Sequence, residues 1–111
     1  MQILLVDDED DARSLLARVL RRQGYLVDTC ADAASALIQL EATSYDVMMT
    51  DQIMPGMSGT DLVLAARRLQ SGLRCIVASG QTPPEAWVRG DTAWITKPLD
   101  LDEVLALLGP A

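Results

Sequence analysis

The sequence predicts an α/β fold built around a parallel sheet. Short apolar runs alternate with longer segments in which apolar residues recur every three or four positions, as they do in helices. This alternation is typical of βαβ units, whose helices cover both faces of a doubly wound sheet. The 111 residues suffice for one domain, 1–111, with a single core, and we find no linker or internal repeat within it.

The first strand and helix are predicted from the opening 24 residues. Residues 3–6 (ILLV) form the strand, and Asp10 or Asp11 can cap the helix that follows. Gly24, just after two arginines, should end this helix. Its predicted core-facing residues are Leu15, Leu16, Val19 and Leu20.

The next elements are a polar strand, a helix and an apolar strand. Residues 25–30 are the more polar of the two strands, which places them near a sheet edge. Asp32 should open the helix, which ends near Ala42. Residues 45–50 are apolar enough for a central strand covered on both faces.

The second half supplies two more strands and at least two helices. Gly59 precedes the third helix, and Gly72 should end it. Strands are predicted at 74–78 and 93–96, with a last helix over 101–108. The third helix is expected to point four side chains inward: Leu62, Val63, Ala66 and Leu69.

The stretch between the fourth and fifth strands has a weak pattern. The pair at 83–84 is Pro-Pro, which can only begin a helix, and Gly90 soon ends it. We therefore expect a shortened fourth helix of one or two turns over 84–89.

Composition excludes several classes of function. The net charge is −7, so the basic surface that nucleic acid binding requires is missing, and solubility is the simplest reason for the acidity. The absence of histidine excludes His-based catalysis and a phosphohistidine on this chain. No signal peptide or membrane-spanning run occurs, and Cys30 and Cys75 form no metal motif. We expect a cytoplasmic protein with reduced, core-filling thiols.

Polar residues follow four of the five predicted strands. Asp7 and Asp8 come after the first strand, Asp51 after the third, Ser79 after the fourth and Lys97 after the fifth. The carboxyl ends of parallel strands open onto one crevice, where α/β sheets bind ligands. Each residue alone also has a purely structural explanation, because an acidic pair can cap a helix and a lone aspartate can form a turn.

Together these residues suit Mg²⁺-dependent phosphoryl transfer. Close carboxylates repel one another, and Mg²⁺ relieves this while bridging to phosphate oxygens. Asp51 can attack phosphorus, Lys97 can balance the charge, and the Ser79 hydroxyl can donate to a phosphoryl oxygen beside the space that Gly80 leaves. Because neighbouring strand residues point to opposite faces, Asp7 and Asp8 are expected to play different roles, one direct and one indirect.

Four segments resemble the receiver domain of two-component response regulators: ILLVDDE, YDVMMTDQIMPGMSG, CIVASG and AWITKPLDLDEV. Their combination is specific, and the similarity extends over essentially the whole chain. The resemblance implies a flavodoxin-like fold, a five-stranded parallel sheet of order 2-1-3-4-5 with five helices. It also implies a phosphoacceptor switch that receives a phosphoryl group from a histidine kinase or phosphotransfer protein.

The resemblance further implies a role for each site residue. Asp51 is the phosphoacceptor, and Mg²⁺ is bound directly by Asp8, with Asp7 in support. The remaining roles fall to the Ile53 carbonyl as a metal ligand, Ser79 and Trp94 as the switch pair, Lys97 as the phosphate sensor, and a cis Lys97–Pro98 bond.

Three departures from the family pattern matter. Trp94 stands where Tyr or Phe is usual, so its inward movement is weighed equally against an aromatic side chain that never moves. The 79–97 stretch is about one helical turn short, which disfavours the common dimer through helix four and leaves a weak dimer open. Ile53 cannot position a water, which predicts slow self-dephosphorylation, although Gln81 can still do so.

Other functions were weighed against the signalling switch. A phosphatase using Asp51 as nucleophile would usually carry an acid two residues later, where Ile53 stands. A docking module without phosphorylation and a receiver from a hybrid sensor kinase both stay open. The sequence names neither the cognate kinase nor the downstream effector.

Overall fold

The computed structural model describes residues 1–83 and 92–111 and forms one five-stranded, all-parallel sheet of order β2-β1-β3-β4-β5. This is the predicted flavodoxin-like order. The predicted fourth helix over 84–89 lies outside the described residues. The described elements are β1 (Gln2–Val6), α1 (Asp10–Arg22), β2 (Leu26–Cys30), α2 (Ala33–Ala42), β3 (Val47–Asp51), α3 (Gly59–Leu69), β4 (Arg74–Ser79), β5 (Thr92–Thr96) and α4 (Leu101–Leu108).

The two faces of the sheet form two separate apolar clusters. Side chains alternate along β1, so that Leu4 and Val6 pack with α2 and α3 while Ile3 and Leu5 pack with α1 and α4. β3 lies in the centre and is buried along its length, as predicted, and β2 lies at an edge. Within residues 1–83 and 92–111, both faces are therefore covered by helices, which leaves the carboxyl ends of the strands as the place where a parallel sheet binds a ligand.

Helix α1 differs from the prediction at its start and on its inner face. Glu9, not Asp10 or Asp11, is the N-cap residue, and its side chain makes no capping hydrogen bond. Asp10 and Asp11 lie in the first turn instead, where their charge suits the helix dipole. Leu15 is 59% exposed rather than buried, because it lies roughly 200° around the helix from the buried Ala17.

Helix α3 ends earlier than predicted. Its last residue is Leu69, which is 44% exposed, and the C-cap is Gln70, so Gly72 lies in the following loop. The Gln70 side chain accepts a hydrogen bond from the Tyr45 N–H (3.0 Å) and donates to the carbonyls of Leu40, in the last turn of α2, and Thr43, its C-cap. These bonds hold Gln70 in an extended conformation and stop the helix.

The strand bounds shift slightly from the predicted ones. β2 begins at Leu26 and β3 at Val47, while β3 and β4 continue to Asp51 and Ser79. The candidate site residues Asp51 and Ser79 therefore lie within strands, where the sheet hydrogen bonds hold their backbone. Cys30 and Cys75 are buried, as predicted. In the described ranges, no helix has the length and apolar character needed to cross a membrane.

Candidate functional site

The register of the sheet brings the strand ends together. Asp51 is paired with Ala78 across β3 and β4, and Ser79 is paired with Thr96 across β4 and β5. The Lys97 N–H donates to the Ser79 carbonyl at 2.8 Å, which extends the ladder one residue past β5. Asp51, Ser79 and Lys97 therefore lie side by side at the carboxyl edge.

Three carboxylates meet at this edge. Asp7, Asp8 and Asp51 each contribute one oxygen to a group in which all three atoms lie within 4.8 Å of one another. The opposite directions expected of neighbouring strand residues do not keep these carboxylates apart, since an oxygen of each reaches the same crevice. The Asp7 N–H still donates to the Cys30 carbonyl at 3.1 Å, one residue past the end of β1, whereas Asp8 lies beyond the ladder. The different roles expected of Asp7 and Asp8 stay a prediction.

The acidic turn after β1 is held by its own hydrogen bonds. The Glu9 N–H donates to Asp7 Oδ1 at 2.9 Å, and Arg13 Nη1 donates to the Asp7 carbonyl at 2.7 Å. Arg13 also pairs with Asp10 at 2.7 Å. The sequence analysis missed Arg13, and its only signal was a cation one turn after the acidic cluster.

Lys97 forms an ion pair with the central carboxylate. Its Nζ lies 2.6 Å from Asp51 Oδ1, and the Lys97–Pro98 peptide bond is cis, as the resemblance implies. Burial alone would lower the pKa of Lys97, but the hydrogen bond and charge of Asp51, with Asp7 and Glu9, outweigh it and raise the pKa. Lys97 is therefore a permanent cation beside Asp51.

Asp51 is the buried member of the cluster, only 7% exposed. Burial is the main reason that its pKa rises to about 6, and Asp7 adds to the increase, while Lys97 opposes it. One lysine does not compensate for a buried carboxylate beside other acids. The site therefore favours an additional cation.

Ser79 and Trp94 are connected through Gln81. Ser79 is 3% exposed, and its Oγ accepts a hydrogen bond from the Gln81 N–H at 3.1 Å. Accepting uses an oxygen lone pair, so the hydroxyl proton is not consumed by this bond. The half-buried Trp94 packs against the α2–α3 cluster, and its indole N–H donates to the Gln81 carbonyl at 2.9 Å. A Cβ atom on Gly80 would meet no described atom within 4 Å. The approach of a phosphoryl group to Ser79 therefore does not require glycine at position 80.

Residues 3–109 match the response regulator receiver domain family. The chain belongs to this family. Among curated relatives, the transcriptional regulatory protein TcrA of Mycobacterium tuberculosis is 34% identical over 97% of this chain and 44% of its own length. The response regulator RppA of Synechocystis is 34% identical over 97% of this chain and 49% of its own. The receiver domain thus spans about half the length of these relatives.

Solved receiver structures are also similar. The receiver domain of the hybrid histidine kinase CckA has a TM-score of 0.82 and 34% identity, covering 94% of this chain and 92% of that one. The Vibrio cholerae chemotaxis protein CheY4 has a TM-score of 0.87 and 30% identity, covering 96% and 94%. The Thermotoga maritima response regulator TrrA, crystallised with Mg²⁺ and BeF, has a TM-score of 0.82 and 28% identity, covering 93% and 91%.

Two further residues near Asp51 in this receiver were not assigned to the site by the sequence analysis: Gln52, directly after β3, and Gly59, the first residue of α3. A Cβ atom on Gly59 would lie 2.2 Å from the Asp51 carbonyl oxygen, so only glycine lets α3 approach the strand this closely. Gln52 bonds to Thr60 through its side chain. Adjacency to Asp51 was the only sequence signal for Gln52, and Gly59 had no signal of a contact with the strand.

The donor set of the receiver suits Mg²⁺. The ion prefers oxygen ligands and commonly uses one or two carboxylates, and three carboxylate oxygens converge here. The raised pKa of Asp51 points the same way, since a bound cation would favour its ionised form. Ile53, two residues after Asp51, projects its side chain to solvent and is 70% exposed.

Proposed function

We propose that this receiver domain takes a phosphoryl group from the phosphohistidine of a histidine kinase or phosphotransfer protein onto Asp51. One observation carries the proposal. The buried Asp51 lies against Lys97 at 2.6 Å and shares its crevice with two further carboxylates. A plain ion pair would not need the extra acids, whose repulsion is a cost unless a cation joins them.

Mg²⁺ is the proposed cofactor. Asp8 and Asp51 would bind it directly, Asp7 would support them, and the Ile53 carbonyl would complete the protein ligands. When bound, it supplies positive charge for the phosphoryl oxygens. TrrA, a receiver of the same fold, was crystallised with Mg²⁺ and BeF, which supports this assignment.

The transfer step uses the residues of this chain as nucleophile and counter-charge. An Asp51 oxygen forms the new bond to phosphorus as the bond from phosphorus to the imidazole nitrogen breaks, and the nitrogen keeps the electron pair. Lys97 Nζ, freed from Asp51, would then pair with a phosphoryl oxygen. Most of the catalysis is positioning, because the carboxylate is already a nucleophile.

The proposed switch links Ser79 to Trp94. If the Ser79 side chain moves toward a phosphoryl oxygen so that its hydroxyl can donate to it, its Oγ draws away from the Gln81 N–H, and Gln81 also accepts from the Trp94 indole. A change at the phosphoryl group would thus reach Trp94 on β5 through three hydrogen bonds, the new bond to Ser79 and the two bonds of Gln81. This is where a downstream partner would sense the phosphorylated state.

The proposal describes a signalling domain, 1–111, in the cytoplasm, whose only catalysis is its own phosphorylation and slow dephosphorylation. The relatives differ in what accompanies the receiver: TcrA is a transcriptional regulatory protein and CckA is a hybrid histidine kinase. Either arrangement is compatible with the site, because the chemistry at Asp51 would be the same.

Intact mass spectrometry tests this proposal. The protein is incubated with phosphoramidate, with and without Mg²⁺, beside the Asp51→Asn variant. We expect one added phosphoryl group on the parent in Mg²⁺ and none on the variant. A folded parent that gains no mass in Mg²⁺ would favour the docking module instead.

A further inference from the structure

Gln52 ties the end of β3 to two other elements at once. Its main-chain N–H donates to the Ala78 carbonyl of β4 at 2.8 Å, and its main-chain carbonyl accepts from the Gly59 N–H of α3 at 2.9 Å. Its side chain bonds to the next residue of α3, Thr60. The side-chain Oε1 accepts from the Thr60 N–H at 2.8 Å, and Nε2 donates to Thr60 Oγ1 at 3.2 Å.

These bonds, together called the Gln52 bridge, close the 53–58 loop at both ends. The first N–H groups of a helix have no partner within the helix, and the bridge satisfies those of Gly59 and Thr60. Ser58 caps the next group, the Asp61 N–H, at 3.2 Å. The Gln52 side chain, directly after β3, thus caps part of the N-terminus of α3. These bonds fix the distance between β3 and α3.

The loop is also anchored by Met54 and Met57, which pack in or against the α2–α3 cluster, but neither contact is made by Ile53 itself. Ile53 is 70% exposed and so contributes no buried anchor of its own, and the next buried side chain is Met54. The backbone at Ile53 lies between the Gln52 bridge and Met54. The bridge and the buried Met54 are therefore the anchors on either side of the Ile53 carbonyl, and the bridge is the one that adjoins Asp51.

We propose that Gln52 is a positioning residue for the cation site, holding the Asp51 side chain and the Ile53 carbonyl in place before Mg²⁺ binds. This inference rests on the proposed function, because it takes the crevice to be the Mg²⁺ site. Removal of the two side-chain bonds of the bridge leaves every carboxylate and both main-chain bonds present but loosens the backbone that carries the Asp51 side chain and the Ile53 carbonyl. Groups that orient metal ligands without touching the metal commonly change affinity about 10- to 100-fold when removed.

Titration calorimetry of Mg²⁺ binding, without any phosphodonor, tests this role. Gln52→Met keeps the length of the side chain and removes its hydrogen bonds, and we expect Mg²⁺ affinity to fall about tenfold. Thr60→Val removes one of the two Gln52 side-chain bonds and the 3.2 Å contact between Thr60 Oγ1 and Ser58 Oγ, keeps the Thr60 N–H, and should give a smaller loss in the same direction. If Gln52→Met does not fold, Thr60→Val decides alone.

Gln70→Met is the matched control. Gln70 also bonds through both side-chain atoms, to the Tyr45 N–H and to the Leu40 and Thr43 carbonyls, but near the amino end of β3. It should lose stability in urea as Gln52→Met does, yet bind Mg²⁺ like the parent. Unchanged Mg²⁺ affinity in the Gln52 and Thr60 variants, or equal losses in Gln52→Met and Gln70→Met, would overturn the inference.

The failure of this inference and that of the proposed function give different results. A parent that is phosphorylated normally while the Gln52 and Thr60 variants bind Mg²⁺ normally removes only the positioning role. A parent that binds Mg²⁺ but gains no phosphoryl group removes the proposed function and leaves the titration series to judge Gln52. A parent that binds no Mg²⁺ overturns the positioning role directly.

Discussion

At the scale of single residues, the site is defined by how closely the chain packs around Asp51. The Asp51 carboxylate is buried beside two acids and one lysine, and its backbone is in contact with the start of α3. The acidic side chains could be predicted from the sequence because they follow apolar runs. The backbone contact could not, since it depends on the path of a loop.

Gly59→Ala tests this contact. The new Cβ would lie 2.2 Å from the Asp51 carbonyl oxygen, so the strand end or the helix must move. We expect the free energy of unfolding in urea to fall by about 1–3 kcal/mol, with slower phosphorylation. Gly72→Ala is the control, because a Cβ there meets no described atom within 4 Å. Equal stability of the two variants would contradict the packing argument.

Asp51→Asn tests the electrostatic cost of the site. The folded pKa of Asp51 is about 6, above its ordinary value of 3.8, so the folded state binds the proton more tightly. Proton binding by Asp51 therefore stabilises the folded state. This stabilisation is complete below pH 3.8 and is lost as the pH rises through about 6. Each unit of difference in pKa corresponds to about 1.4 kcal/mol, so the loss is of the order of a few kcal/mol.

Without Mg²⁺ at neutral pH, Asp51→Asn should therefore melt at a higher temperature than the parent, and the difference should shrink on acidification. Thermal unfolding followed by circular dichroism across this pH range measures it. Excess Mg²⁺ should stabilise the parent more than the variant, because the parent keeps all three carboxylates. A variant that melts lower than the parent at neutral pH without Mg²⁺ would contradict the account.

Ile53→Asn tests the predicted slow dephosphorylation. An exposed apolar side chain beside Asp51 cannot orient a water, whereas an amide can. We expect loss of the phosphoryl group to be faster on the order of tenfold, below the usual contribution of a positioned acid or base. The decay of the added mass after removal of the phosphodonor measures the rate. Equal rates for parent and variant would assign the water to another residue, such as Gln81.

At the scale of elements, strand positions followed from the sequence more closely than helix ends did. β3 is buried throughout and was predicted as central, and α4 has the predicted bounds. The end of α3 was missed because Gln70 is held by residues about thirty positions away along the chain. Leu15 was misassigned because an apolar stripe wider than the contact surface does not show which edge is covered.

The C-terminal end of α4 offers a test at this scale. Arg74, the first residue of β4, donates to the Leu107 and Leu108 carbonyls. The hydroxyl of Tyr25, just before β2, donates to the Gly109 carbonyl. The C-terminal end of α4 is therefore bonded to the beginnings of β4 and β2. Arg74→Ala should lower the free energy of unfolding in urea by about 1–2 kcal/mol. Phosphorylation should persist, because these bonds lie at the opposite end of β4 from Ser79.

Arg68→Ala serves as the comparison for Arg74→Ala. Arg68 is an exposed residue in the last turn of α3, and its removal should change stability by less than about 0.5 kcal/mol. If Arg74→Ala were as mild as this control, the bonds to α4 would contribute nothing measurable. Loss of phosphorylation in a folded Arg74→Ala variant would also contradict the separation of the two ends.

At the scale of the whole molecule, the sheet order determines which residues meet. Asp7, Asp51, Ser79 and Lys97 are far apart in sequence, yet four adjacent strand ends bring them together. The motifs predicted this because each follows a strand-forming run. The same reasoning did not predict that the carboxylates of both Asp7 and Asp8 reach one crevice, because it applied strand alternation to residues one and two positions past the end of β1.

The central claim is that Asp51, rather than Asp7 or Asp8, carries the phosphoryl group. The direct measurement is to phosphorylate the protein in Mg²⁺, reduce the acyl phosphate with borohydride, and sequence the peptides by mass spectrometry. Reduction converts a phosphorylated aspartate to homoserine, which leaves a permanent mark. The account predicts homoserine at position 51 and unmodified aspartate at positions 7 and 8. Homoserine at position 7 or 8 instead of 51 would contradict it.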